Sequence, residues 1–234
     1  SREDLRSTDH MTIDGQTAKD FDDAICILKT PKGFKLYVSI ADVSHYVQPG
    51  SAIDKEAYTR GTSIYFPGRV IPMLPEKLSN NLCSLVPDKD RFTLSAILDF
   101  DRSGTVLKKN FTRSIIRSKQ RFTYSTVRKI LIDKDPAVRK EHKDFLNQLQ
   151  WAQELATALK EKRRARGSID FNLPEPEFKL DGKGNVASIR KAERNFAHQL
   201  IEEFMLAANE AVAEFFSQRS IPAIYRVHES PDPL

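Results

Sequence analysis

Four aspartates stand within ten residues near the start of the chain: Asp14, Asp20, Asp22 and Asp23. Such a density of like charge opposes folding unless a cation neutralises it. Carboxylate oxygens are hard ligands of the kind that Mg²⁺ or Mn²⁺ prefers. Because an apolar run follows at residues 24–28, we expect the cluster to lie at the start of a rigid β-strand, where a site can be held in place.

A solvated acidic loop is an equal alternative for the same residues. A calcium loop of the EF-hand type is a poor match, because the sixth residue from Asp20 is Ile25 rather than glycine and the twelfth is Pro31 rather than glutamate. The spacing alone therefore leaves a metal site and a plain loop open.

The composition excludes several classes of protein. Of 234 residues, 40% are hydrophobic and 29% are charged, which is typical of a globular domain and not of a disordered chain. Neither a membrane-spanning apolar run nor a signal peptide is present, so we expect a cytoplasmic protein with no membrane partner. The net charge of +5 permits an anionic partner without proving one. Cys26 and Cys83 belong to no CxxC pair and are expected to be reduced thiols.

The hydrophobic patterns predict a mixed α/β (α+β) fold in which a mixed sheet packs against helices. Strands are predicted at residues 35–43, 91–100 and 106–112, with a turn at residues 101–104 between the last two. A second hairpin is predicted from residues 178–180 and 186–190. Helices are predicted at residues 125–132, 137–166 and 192–217, with Gly167 ending the second. An apolar stripe is predicted along the third helix, formed by Phe196, Leu200, Phe204, Ala208, Ala211 and Phe215.

Several longer stretches of the sequence resemble those of a known protein family. Residues 12–24 (TIDGQTAKDFDDA) resemble the signature of the RNB family of exoribonucleases. Further blocks that resemble the family follow in the family's order at residues 40–47, 61–75, 78–85, 198–209 and 225–229. The resemblance therefore covers nearly the whole chain.

This resemblance implies an RNB-type catalytic domain. It further implies a Mg²⁺-dependent exoribonuclease, with Mn²⁺ as a possible substitute, that degrades single-stranded RNA processively from its 3′ end to nucleoside 5′-monophosphates. The four aspartates match the family's catalytic aspartates. We expect Asp14, Asp20 and Asp23 to hold metal, and Asp22 to position the attacking water or a second metal ion.

Four further residues match RNA-binding positions of the family. Tyr65 and Phe171 match aromatic residues that stack on the terminal bases, whereas Tyr124 and Glu202 match residues that read the sugar. From the sequence alone, Glu202 has an alternative as part of an exposed helix face, paired with His198 four residues earlier. The basic run at residues 160–166 is explained by the helix dipole, with phosphate binding as its alternative.

The resemblance also implies that residues 1–234 are a partial RNB domain, incomplete at the C-terminus. The family's catalytic domain continues with an arginine-rich block and an acidic residue, and cold-shock and S1 domains of the OB fold flank it. We therefore expect little exonuclease activity from this chain alone. Two other classes stay open: a non-catalytic RNA-binding protein of the RNB fold, and a metal-dependent phosphatase or nucleotide hydrolase.

Overall fold

The computed structural model describes residues 1–169, 176–182, 184–191 and 194–227. Its strands are β1 (Glu3–Asp4), β2 (Met11–Asp14), β3 (Asp23–Lys29), β4 (Gly33–Ala41), β5 (Ile64–Phe66), β6 (Arg69–Ile71), β7 (Asp90–Asp101), β8 (Val106–Arg117), β9 (Gln120–Thr123), β10 (Pro176–Leu180) and β11 (Val186–Lys191). Its α-helices are α1 (Ala52–Arg60), α2 (Tyr124–Leu131), α3 (Pro136–Glu141), α4 (Leu146–Ala165) and α5 (Phe196–Gln218). The mixed α/β prediction is confirmed.

A seven-stranded mixed sheet in the order β1-β8-β7-β4-β3-β2-β9 is the centre of the fold. The inner strands are antiparallel, whereas β1 runs parallel to β8 and β9 runs parallel to β2 at the two edges. The hairpins β5–β6 and β10–β11 form separate two-stranded sheets, and the second of them confirms the hairpin prediction. The predicted turn between β7 and β8 is also present, with Gly104 at φ +79°.

Helices α2, α4 and α5 cover one face of the sheet. The α5 side chains that were predicted to share an apolar stripe are buried at Leu200, Phe204, Ala208 and Ala211. The helix begins at Phe196 rather than at residue 192, because the Asn195 side chain accepts a hydrogen bond from the backbone N–H of Ala197 (2.9 Å) and caps it. Residues 192 and 193 lie outside the described residues.

The single helix predicted over residues 137–166 is wrong. The chain forms α3, then a 3₁₀ turn at Lys143–Phe145, then α4. His142 ends α3 with φ −107° and ψ 30°, values that an α-helix does not continue through. The rings of His142 and Phe145 then pack edge-on against Phe122 of β9, at centroid distances of 5.0 and 5.6 Å. The break therefore lets His142 and Phe145 pack against Phe122, which a straight helix would not allow for both rings.

The opposite face of the sheet carries a second, smaller core. It contains Phe21, Leu78, Cys83 and Leu85, among others, and the segment before β7 lies over it. Both cysteines are free and buried, as expected. Burial raises the pKa of the Cys26 thiol to about 12, which keeps it protonated and unreactive.

A buried row of hydroxyl groups crosses the sheet on this second face. Ser39 on β4 lies 2.6 Å from Ser95 on β7, which lies 2.6 Å from Ser114 on β8. His10 ends the row, with its Nε2 3.0 Å from the Ser39 hydroxyl oxygen and its Nδ1 3.3 Å from the backbone oxygen of Thr8. Burial lowers the pKa of His10 to about 4, so the imidazole is neutral in the folded chain.

We predict that His10 makes the fold less stable in mild acid. The unfolded imidazole binds a proton below a pH of about 6.5, whereas the folded one does so only near 4, so stability is lost as pH falls between these values. The loss from this residue should reach about 1 kcal/mol at pH 5.5. Urea unfolding at pH 7.5 and 5.5 measures it. The His10→Gln variant should lack this component, and equal pH dependence in the two proteins would contradict the prediction.

Candidate active site

Two of the four aspartates lie at the ends of neighbouring strands. Asp14 is the last residue of β2 and Asp23 is the first residue of β3, and these strands pair antiparallel with Met11 opposite Ile25. The segment between them, residues 15–22, is here named the carboxylate loop. It contains Asp20 and Asp22. The expectation that the carboxylates lie at the start of a strand is met by Asp23.

The carboxylates share one electrostatic environment. The pKa of Asp14 is raised to about 7, chiefly by burial and next by the charge of Asp23, while the guanidinium of Arg121 opposes the rise. Burial also raises the pKa of Asp23 to about 6, with Asp22 adding to the rise. The pKa of Asp22 is raised by burial and by the charge of Asp20. These mutual effects show that the four side chains lie close enough to repel one another.

The donor chemistry of this cluster fits Mg²⁺, and one atom lacks a partner. Asp14 Oδ2 is buried and has no hydrogen-bond partner among the described residues. A buried carboxylate oxygen without a partner is costly, and a cation would remove that cost. In the described ranges, no group of three His, Cys, Asp or Glu side chains converges closely enough to hold a metal ion. The ligand types therefore fit the metal, whereas a closed coordination shell is not formed.

Tyr124 lies beside the aspartates in the structure. Strand β9 pairs in parallel with β2, so that Thr123 lies opposite Asp14, and Tyr124 follows at the start of α2. Burial raises the pKa of Tyr124 to about 12, and the charges of Asp14 and Asp23 add to the rise. Its phenol is therefore a neutral hydrogen-bond donor close to the carboxylates.

Helix α5 contributes a second polar side chain to this region. The ring of His198 stacks on Tyr124, with centroids 3.8 Å apart and an interplanar angle of 22°. Glu202 lies one turn further along α5, partly exposed, and accepts a hydrogen bond from Arg194 at 2.5 Å. The structure thus links Tyr124 to the helix that carries Glu202, through His198.

The structure describes one of the two aromatic residues that are expected to stack on bases. Tyr65 lies on β5 of the separate β5–β6 hairpin, and 68% of its surface is exposed. Such exposure leaves the ring free to stack on a base, but the hairpin is not part of the seven-stranded sheet. Phe171 lies outside the described residues, as do His228 and Glu229.

Sequence reasoning missed two residues near the site, Arg121 and Ser84. Arg121 on β9 donates hydrogen bonds to the backbone oxygens of Gly15 (2.8 Å) and Gln16 (2.9 Å) in the carboxylate loop. Ser84 binds the far end of the same loop through the backbone of Lys19 and Phe21. The pairing of β9 with β2 and the packing of residues 78–85 are long-range contacts, for which the sequence holds no local signal. Away from the site, the sequence reasoning also missed the buried Glu203 of α5, which pairs with Arg163 of α4.

The basic run at residues 160–166 makes ion pairs and hydrogen bonds with α5. Arg163 binds Glu203 at 2.6 Å and Arg166 binds Glu210 at 2.9 Å, while Lys160 donates to the Gln199 side chain at 2.9 Å. These contacts join α4 to α5 and give the run a structural role.

Comparison with known proteins places this geometry in a family. The RNB domain matches residues 2–233. The chain belongs to the RNB-domain family. Ribonuclease R of Thermotoga maritima is 50% identical over 99% of this chain and 33% of that protein, and ribonuclease R of Aquifex aeolicus is 46% identical over 99% and 33%. This RNB-domain chain thus spans about a third of the length of these relatives.

A solved structure gives the same result for the fold. The structure of Mycoplasma genitalium RNase R in complex with ribose-methylated single-stranded RNA matches with a TM-score of 0.90 and 39% identity. It covers 98% of this chain and 36% of that one. None of the helices in the described ranges of this RNB-domain chain is long and apolar enough to cross a membrane.

Proposed function

We propose that this chain is part of a ribonuclease R-like enzyme of the cytoplasm that hydrolyses single-stranded RNA from its 3′ end to nucleoside 5′-monophosphates, with Mg²⁺. The observation that carries the proposal is the meeting of Asp14, Asp23 and Tyr124 at the ends of β2, β3 and β9 in an RNB-domain chain. The relative solved with single-stranded RNA supports the choice of substrate class.

The aspartates would hold the metal through Asp14, Asp20 and Asp23, with Mn²⁺ as a possible substitute. When bound, the metal would neutralise charge on the scissile phosphate and lower the pKa of the attacking water, so that the water loses a proton more easily and becomes a better nucleophile. Asp22, on the same loop, would orient that water. Repulsion among the carboxylates opposes the folded loop without a cation, which gives the site a free-energy reason to take one up.

The neutral phenol of Tyr124 would bind the sugar of the terminal nucleotide. A ribose 2′-OH both donates and accepts, so a neutral donor at Tyr124 and a carboxylate acceptor at Glu202 would together be able to distinguish RNA from DNA. Tyr65 and Phe171 would stack on bases, which is independent of base identity and suits an enzyme that degrades any sequence.

The test places this chain in a full-length relative. The matching third of Thermotoga maritima ribonuclease R is replaced by this chain, and the chimera is given a 5′-labelled oligoribonucleotide with Mg²⁺ or with EDTA. With Mg²⁺ the labelled RNA should be degraded from its 3′ end with release of nucleoside 5′-monophosphates, and EDTA should stop the reaction. The isolated 234-residue chain is expected to turn over little. RNA that is bound but never cut would favour a non-catalytic protein, and hydrolysis of small phosphate esters instead of RNA would favour a phosphatase.

We predict that the Asp22→Asn chimera binds RNA but cuts it about 10²-fold more slowly, the scale of effect of a group that positions or activates a nucleophile. The amide keeps the size of the side chain but removes its charge. Single-turnover hydrolysis and a filter-binding assay on the same oligoribonucleotide separate the two steps. Asp88→Asn, which changes an exposed aspartate, is the matched control. Full hydrolysis by the Asp22→Asn chimera would remove Asp22 from the mechanism.

A further inference from the structure

The carboxylate loop is bound to the rest of the fold at both of its ends. At its start, the Arg121 Nη2 atom donates to the backbone oxygens of Gly15 and Gln16. The Arg121 guanidinium also lies 5.4 Å from the ring centre of Phe21, near the end of the loop. One side chain of β9 thus contacts the first and the last turn of the loop.

Ser84 makes the second attachment. Its hydroxyl donates to the backbone oxygen of Lys19 (2.7 Å) and accepts from the backbone N–H of Phe21 (3.0 Å), so it bridges the two residues on either side of Asp20. Ser84 is fully buried, so its hydroxyl is shielded from solvent. The Leu85 N–H donates to the Phe21 backbone oxygen (2.8 Å), and Arg91 Nε holds the Ser84 backbone oxygen (2.8 Å). The backbone at Ser84 and Leu85 is therefore itself held in place by hydrogen bonds.

The end of the loop joins the sheet directly. The Asp22 backbone oxygen accepts a hydrogen bond from the Ala41 N–H (2.8 Å), and the Phe21 side chain is buried in the second core. The backbone on both sides of Asp20 is thus fixed, while the side chains of Asp20 and Asp22 are left to interact with one another and with a ligand. A loop of like charges that is fixed by its backbone keeps its carboxylates together without a cation.

We propose that Ser84 and Arg121 are positioning residues that hold the carboxylate loop, so that Asp20 and Asp22 stay beside Asp14 and Asp23 and are ready to bind the metal. Neither residue is placed on the substrate, and neither is a metal ligand. The inference rests on the proposed function for the identity of the metal, but the loop attachment itself is measurable without it.

Hydrogen exchange tests the attachment in this chain as it stands. In Ser84→Ala the Phe21 N–H loses its acceptor, so its exchange should become at least about tenfold faster, as expected when a buried amide loses its bond. Ser84→Thr keeps the hydroxyl and should restore slow exchange. Ser95→Ala removes a buried hydroxyl of the row that crosses the sheet, and is the matched control that leaves Phe21 unchanged. Unchanged exchange at Phe21 in Ser84→Ala would overturn the attachment.

Mg²⁺ binding tests the positioning role. Because a bound ion stabilises the folded chain, the apparent Kd for Mg²⁺ can be obtained from the dependence of Tm on Mg²⁺ concentration. This Kd should increase about tenfold in Ser84→Ala and in Arg121→Gln. Arg117→Gln, an exposed arginine paired with Asp90, is the control for loss of charge. Loosened exchange with an unchanged Mg²⁺ Kd would overturn the role. If the wild-type chain gives no response to Mg²⁺, the metal of the proposed function fails, whereas the exchange result still decides the loop attachment.

Discussion

The Glu203→Gln variant should be less stable than the wild type by about 3 kcal/mol, the lower end of the range for removing one member of a buried ion pair. Glu203 lies on α5, and 4% of its side chain is exposed. Arg163 on α4, whose side chain is 18% exposed, donates to the Glu203 carboxylate through both its Nε and Nη2 atoms. Glu203→Gln would replace the charged partner of the Arg163 guanidinium with a neutral amide. The guanidinium would stay largely buried, but its interaction with residue 203 would be weaker. Because Arg163 also donates to the Ser168 hydroxyl at 2.6 Å, the segment that follows α4 should loosen as well.

The neighbouring Glu202 provides the control. Its pair with Arg194 is partly exposed, and such pairs contribute little to stability, so Glu202→Gln should leave the Tm almost unchanged. For a chain of this size the Glu203→Gln loss corresponds to a Tm lower by about 6–12 °C. In the chimera, Glu202→Gln should instead weaken the preference for RNA over DNA. Equal destabilisation by the two variants would contradict the distinction between a structural and an RNA-facing glutamate.

The parts of the fold that follow local patterns were predicted from the sequence. The β7–β8 and β10–β11 hairpins and the apolar stripe of α5 come from alternation, turn residues and helical spacing, which act over a few positions. The break at His142 was missed because apolar residues continue across it at helical spacing. Its cause is the contact with Phe122 of β9, which no local pattern encodes.

The residues of the site likewise include some that the sequence predicted and others that only the structure revealed. The aspartates stood out because four carboxylates in ten residues repel one another unless a cation neutralises them. Tyr124 and Glu202 came only from the resemblance, and the structure then placed Tyr124 beside Asp14 through the parallel pairing of β2 with β9. Arg121 and Ser84 could not be predicted, since their bonds to the carboxylate loop join residues more than 60 positions apart.

We expect Asp14→Asn to change stability and activity in opposite directions. The folded pKa of Asp14 is about 7, above its ordinary value of 3.8, so the ionised side chain makes the fold less stable at high pH. The contribution of Asp14 to the free energy of unfolding of the wild type should therefore increase as pH falls from 7 towards 3.8. The neutral amide removes the penalty, and at pH 8 without metal it should add about 2 kcal/mol, after allowance for partial exposure and screening. The Tm should increase by about 4–8 °C.

The same substitution removes the buried oxygen that is left for a metal. Mg²⁺ should raise the Tm of the wild-type chain but have little effect on Asp14→Asn, while hydrolysis by the chimera should fall about 10³-fold, because a catalytic metal supplies several kcal/mol of charge stabilisation. Asp88→Asn should behave as the wild type in all three measurements. A lower Tm for Asp14→Asn would show that its carboxylate stabilises the fold, and a retained response to Mg²⁺ would move the metal to other ligands. A site that loses stability by keeping its charges is one in which function, not folding, requires them.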